Sequence, residues 1–149
     1  MDKITLRIIG RIGMLIVFIG FFMPISCNLN GFQIAEYSTS MGGMNPLSIG
    51  LYGIFIFSCI GTILLLPLVM KKKISMGWDW FTLLGVIISA VVVFIRMDGG
   101  NTGFGTNMFQ SGAYVILAGM IVSLLFTLIS SSKRDEEPVI DKQKENRDE

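Results

Sequence analysis

The stretch "FFMPISCNLNGFQIA", Phe21–Ala35, decides how many times the chain crosses a membrane. An apolar run stops at Pro24, Cys27 follows, and the chain then turns polar and glycine-rich. In one reading Cys27 is the acylated first residue of a lipoprotein. Residues 1–26 would then be its signal, with a basic start, the apolar run "MLIVFIGFFM" (Met14–Met23) and a small residue, Ser26, before the cysteine. In the other reading the run is a membrane helix. Proline lacks an N–H and fixes φ, so Pro24 stops or kinks the helix as it leaves the hydrocarbon. Asn28, Asn30 and Gly31 then supply turn chemistry. A lipidation box has leucine or a similar residue at the third position before the cysteine, where this chain has Pro24. The helix-end reading is therefore preferred, with an acylated three-span protein as the alternative.

Composition sets the wider class. The chain has 149 residues, 52% hydrophobic and 15% charged, against about 25% charged in a soluble domain. Most of the charge collects at the two ends and in one internal cluster, Lys71–Lys73. Nucleic acid is not an expected partner, because the basic residues form no single patch. The chain has no histidine, the usual general base and the commonest metal ligand. Two cysteines, Cys27 and Cys59, are too few for a disulfide framework.

A spanning helix needs about 20 mainly apolar residues. Four segments meet this, at about 8–25, 48–70, 78–95 and 111–129. Each must be helical, since unpaired backbone groups in lipid cost several kcal/mol. Lysine and arginine set the orientation. Lys3, Arg7 and Arg11 precede or open the first span, Lys71–Lys73 separate the second and third, and Lys133 and Arg134 follow the fourth. All fall on one side, and only Arg96 falls on the other. The expectation is an all-α integral membrane protein, a four-transmembrane-helix bundle with both termini cytoplasmic. The bilayer is its first partner, and a bacterial cytoplasmic membrane its location. Trp78 and Trp80 anchor the third span at the inner surface, external loops cover 27–47 and 96–110, and residues 133–149 form a disordered cytoplasmic tail.

Small residues let membrane helices approach closely. Gly85 and Ser89 are four apart on the third span, and Gly119 and Ser123 four apart on the fourth. Such pairs serve packing within the bundle, with contacts between copies as the alternative. Chemistry is sparse. Transporters coupled to protons or ions place a carboxylate or base mid-membrane, and these spans have none at their middle. The external carboxylates Glu36 and Asp98 sit one in each loop and can meet, but no nucleophile–base signature accompanies them. Met41 and Met44 offer soft thioethers of the kind that bind Cu(I), and are read as loop filling. No cofactor, metal site or catalytic residue is expected. The residues singled out for surface or packing roles are Cys27, Asn30, Gly31, Glu36, Gly85, Ser89, Asp98, Gly119 and Ser123.

The segments "GFFMPIS" (Gly20–Ser26), Gly31 and "GAYVILAGMIVSLL" (Gly112–Leu125) carry a resemblance. The arrangement resembles a broad set of small bacterial four-span membrane proteins. Their first helix ends in Phe-x-Pro, and a glycine-rich external loop and a short charged linker follow. A tryptophan frequent after the proline is replaced here by Ile25. The resemblance covers roughly residues 8–132 and implies a four-span fold without implying an activity. The expected function is non-enzymatic, scaffolding or modulating other membrane proteins. A small oligomeric channel or transporter, built by the chain with itself, is the alternative.

Overall fold

A computed structural model describes residues 3–40, 43, 45–70, 75–98 and 109–132, apart from the side chain of Asp98. Six helices follow in order: α1 (Lys3–Phe22), α2 (Gly31–Ser40), α3 (Pro46–Ile63), α4 (Leu65–Val69), α5 (Gly77–Asp98) and α6 (Ser111–Ser132). Four runs are long and apolar enough to cross a membrane: α1, α3 with α4 (Pro46–Val69), α5 (Gly77–Met97) and α6. At 1.5 Å per residue, the 20 residues of α1 already cover about 30 Å of hydrocarbon. The protein is an all-helical membrane bundle of four spans. Among the described residues, strand pairing is limited to isolated bridges near Ser26.

Three boundaries differ from the sequence expectation. The first helix begins at Lys3 rather than near Ile8, so the basic turn with Arg7 is helical too. The second span is interrupted at Leu64, between α3 and α4. Pro67 lies just beyond the break and has no N–H to return to the carbonyl of Ile63. The segment 27–47 is more than turn, because residues 31–40 form α2. The expected tail, residues 133–149, lies outside the described residues, as do Lys71–Lys73, Met41 and Met44.

α1 and α6 run antiparallel in close contact. A Cβ on Gly13 would stand 2.7 Å from the Gly119 carbonyl oxygen and 2.7 Å from the Ser123 nitrogen. One on Gly119 would stand 2.7 Å from the Gly13 carbonyl oxygen. α3 and α5 pair in a similar way: a Cβ on Gly53 would meet Ser89 Oγ at 2.3 Å, and one on Gly85 would meet the Phe57 ring at 2.5 Å. α1 also packs on α3, joining the two pairs, while α5 and α6 touch little. The order around the bundle is thus α6–α1–α3–α5, with the seam between α5 and α6 left open.

The interior is Met14, Val17 and Phe21 of α1, Leu51 and Ile54 of α3, and Leu83 and Val86 of α5. The outer faces carry Ile19, Ile56, Ile88, Leu117 and Ile121, about half exposed or more. A surface this apolar suits lipid as solvent. Several serine and threonine hydroxyls inside the spans return to carbonyls of their own helix, as Ser58 does to Phe55, Thr62 to Ser58 and Thr82 to Trp78.

Candidate functional site

Three places carry features beyond apolar packing: a polar cluster at one end of the bundle, a turn at the other, and the open seam.

The cluster joins α1, α4 and α5. Arg7 and Arg11 are four apart and share one face of α1. Asp79, in the first turn of α5, gives one carboxylate oxygen to each: Arg7 Nε donates to Oδ2 at 2.6 Å, and Arg11 Nε to Oδ1 at 2.7 Å. An acidic residue there also complements the helix dipole. Arg7 Nη2 donates to the Ser75 carbonyl at 3.3 Å. Arg11 Nη1 donates to the carbonyl of Leu64, at the break before Pro67. Arg11 thus closes the backbone interruption and the ion pair together. Asp79 is 7% exposed and Arg11 3%. A small cavity beside them is lined by these three side chains and by Thr82, Ser123, Thr127 and Ser130.

The turn holds Cys27. Cys27 (φ 51°) and Asn28 (φ 60°) both adopt the left-handed conformation between the bridged residues Ser26 and Leu29, which makes a two-residue hairpin. Asparagine tolerates this backbone, and a cysteine there is uncommon. Gln110 braces the turn: its Oε1 accepts from Asn28 N at 2.9 Å, its Nε2 donates to Asn28 Oδ1 at 3.0 Å, and its backbone N–H donates to the Ile25 carbonyl at 2.9 Å. The end of α1 is therefore tied to the start of α6. Cys27 is exposed, and neither it nor Cys59 is in a disulfide.

The open seam is an apolar crevice of about 300 Å3 between α3, α5 and α6. It runs from Ile25 and Phe109, beside the Cys27 turn, to Ile87 and Met120 deeper in the bundle. Val91, Phe94 and Leu117 edge it with exposed side chains, and Leu51, Ile54 and Val93 form its floor.

The residues singled out from sequence fall into three groups. Asn30 and Gln33 cap α2 reciprocally, each side chain accepting from the other's backbone N–H at 3.0 Å. Gly31 lies flat on Phe21, where a Cβ would come within 2.3 Å of the ring. Cys27 and Glu36 are exposed at the same end of the bundle. Gly85, Ser89, Gly119 and Ser123 lie inside helix–helix contacts of one chain. An encounter of Glu36 with Asp98 falls outside the described side chains. Arg11 stands in the sequence as a charge that opens the first span and Asp79 as one at the start of the third, but spacing along either helix does not show that they pair. A charged pair at the same depth on two spans is the signal that points to it. Among the described residues, no group of three or more His, Cys, Asp or Glu side chains converges as a metal site.

In comparisons with known proteins, no family model, no curated protein sequence and no solved structure matches the chain.

Proposed function

We propose that the protein is a non-enzymatic scaffold of a bacterial cytoplasmic membrane that takes up a transmembrane helix of another membrane protein in the crevice between α5 and α6. The carrying observation is the crevice itself. Three of the four helix seams are closed by glycine or by interlocked side chains, and the fourth is an apolar slot facing lipid. Met97 and Met120 line it, and methionine adapts its shape to irregular partners. In lipid, association is driven by packing rather than by water, so an unfilled slot favours a complementary helix.

The end with Lys3, Arg7 and Arg11 faces the cytoplasm in this reading, following the excess of basic residues there. All four spans are retained. α1 contributes Met14, Val17 and Phe21 to the interior and half of the closest helix pair. Cleavage before Cys27 would remove them all, which supports Cys27 as a turn residue over an acylated terminus. The interior at the level of Phe21, Phe32 and Phe55 is filled by rings, with Phe32 and Phe55 centroids 4.7 Å apart. A pore would therefore need several copies.

Native mass spectrometry of the whole protein, gently extracted from its own membrane, tests the reading. The expected result is the intact chain with one other polypeptide, lost in Ala90→Phe, which fills the crevice, while the helical content stays. A complex of this chain alone moves the assignment to an oligomer or channel. A mass starting at an acylated Cys27 overturns the four-span arrangement.

A further inference from the structure

The four spans form two close pairs, and the two pairs meet unevenly along the bundle. α1 and α6 are joined through Gly13 and Gly119, and α3 and α5 through Gly53 and Gly85. At each of the four an added Cβ would come within 2.7 Å of the facing helix. Between the pairs, α5 and α6 converge at the basic end. There Asp79 and Thr82 of α5 share a space of only about 10 Å3 with Ser123, Thr127 and Ser130 of α6. Towards the Cys27 end the same two helices stand apart around the crevice of about 300 Å3. The ties between the pairs are uneven in the same sense. At the basic end Asp79 is ion-paired with both Arg7 and Arg11, and Arg11 Nη1 also holds the Leu64 carbonyl where α3 ends. One side chain of α1 thus grips both helices of the other pair. Towards the Cys27 end α1 meets α3 through rings instead, with the Phe18 and Phe21 centroids 5.6 and 5.5 Å from that of Phe55. A planar guanidinium fork on a carboxylate fixes direction as well as distance, whereas ring faces have no directional bond to break when they slide.

We infer that the α3–α5 pair swings as one body about the Arg11–Asp79 tie, so that the crevice widens and narrows at the Cys27 end while the basic end stays shut. Small rotations and slides of packed helices are an ordinary mode of closure. At 1.5 Å of rise per residue from Asp79, a swing of about 10° moves Ile95 roughly 4 Å and Phe81 about 0.5 Å. The inference goes beyond the scaffold reading and does not depend on which polypeptide enters the crevice.

Distances between pairs of nitroxides, measured by electron paramagnetic resonance on the full chain in lipid nanodiscs, test this. The labels are attached to introduced ketone side chains, which leaves Cys27 and Cys59 unchanged, at exposed positions outside the crevice. Labels at Ile95 and Tyr114 report the mouth of the crevice, and labels at Phe81 and Leu128 the closed end. Labels at Ile95 and Ile49, and at Tyr114 and Ile19, report each helix pair by itself. The expected distribution across the mouth is at least about twice as wide as the other three, as the lever arm along α5 requires. In Arg11→Lys, which replaces the planar fork by a point charge, the distribution at the closed end should widen as well. Equal widths at all four places, or a distribution within one helix pair as wide as that across the mouth, overturn the inference. So does an Arg11→Lys chain whose closed end stays as narrow as before. Should Arg11→Lys fail to fold, the four distributions with Arg11 in place still decide.

Discussion

α6 meets its two neighbours through different kinds of residue. Towards α1 it presents Gly119 and the backbone of Ser123, and the facing Gly13 comes so close that a single added carbon has no room. Towards α5 it presents Leu117 and Met120, across from Val91 and Phe94, and the backbones stand apart around a crevice. Both seams lie in the same lipid with the same hydrophobic character, so apolarity does not decide which one closes. Side-chain size does, as expected where packing drives association. The closed seam holds the fold together, and the open one leaves an apolar crevice at the lipid-facing surface.

Substitutions can break or sharpen that contrast. Gly13→Leu is expected to have the largest effect, because the displaced groups are the Gly119 carbonyl and the Ser123 backbone rather than flexible side-chain ends. Monodisperse folded protein should be lost in size-exclusion chromatography. Leu117→Gly, on the open seam of α6, should stay folded. Asp79→Ala leaves two guanidiniums facing each other without their carboxylate, and one of them is buried. A loss of about 3–5 kcal/mol is expected in detergent unfolding, as for a broken buried ion pair. Part of it should return when Arg11→Met is added.

Smaller effects follow at the end of the bundle that carries the Cys27 turn. Gly31→Ala pushes a methyl into the Phe21 ring, which is fully buried against Phe32 and Phe55 and cannot swing away. It should cost about 1–3 kcal/mol, an overpacking penalty. Asn45→Ala removes the N-cap of α3, where Asn45 Oδ1 accepts from Ser48 N at 3.0 Å, and also the tie from Asn45 Nδ2 to the Ser38 carbonyl at 2.9 Å. The expected loss is about 1 kcal/mol, read as a shift in thermal unfolding followed by circular dichroism. Crevice-filling Ala90→Phe should change stability least.

The four spans were legible because length and apolarity alone specify a membrane helix. The glycine–serine pairs were legible as close-packing residues, but not their partners, since spacing along one helix does not say which neighbour it faces. Other features escaped for different reasons. α2 has only ten residues, and its glycine start and polar content resemble a turn; what makes it helical is the reciprocal Asn30–Gln33 cap and the burial of Ile34 and Ala35. The Arg7–Arg11–Asp79 cluster depends on the relative depth of α1 and α5, a tertiary quantity. The break at Leu64 also escaped, because the second span reads as one apolar run over 48–70 in spite of Pro67. The crevice left no trace in the sequence, because large apolar residues at a seam and large apolar residues facing lipid look the same.

The most direct test of the open seam as a binding surface is site-specific photo-crosslinking in the native membrane. One photoreactive residue is placed at Leu117, on the edge of the crevice, and one at Ile19, on the lipid-facing surface of α1; both positions are about half exposed. The expected outcome is a single transmembrane polypeptide, other than this chain, joined at Leu117, identified by mass spectrometry and absent in Ala90→Phe, with lipid alone joined at Ile19. Identical products from the two positions, or lipid alone at Leu117, would contradict the account.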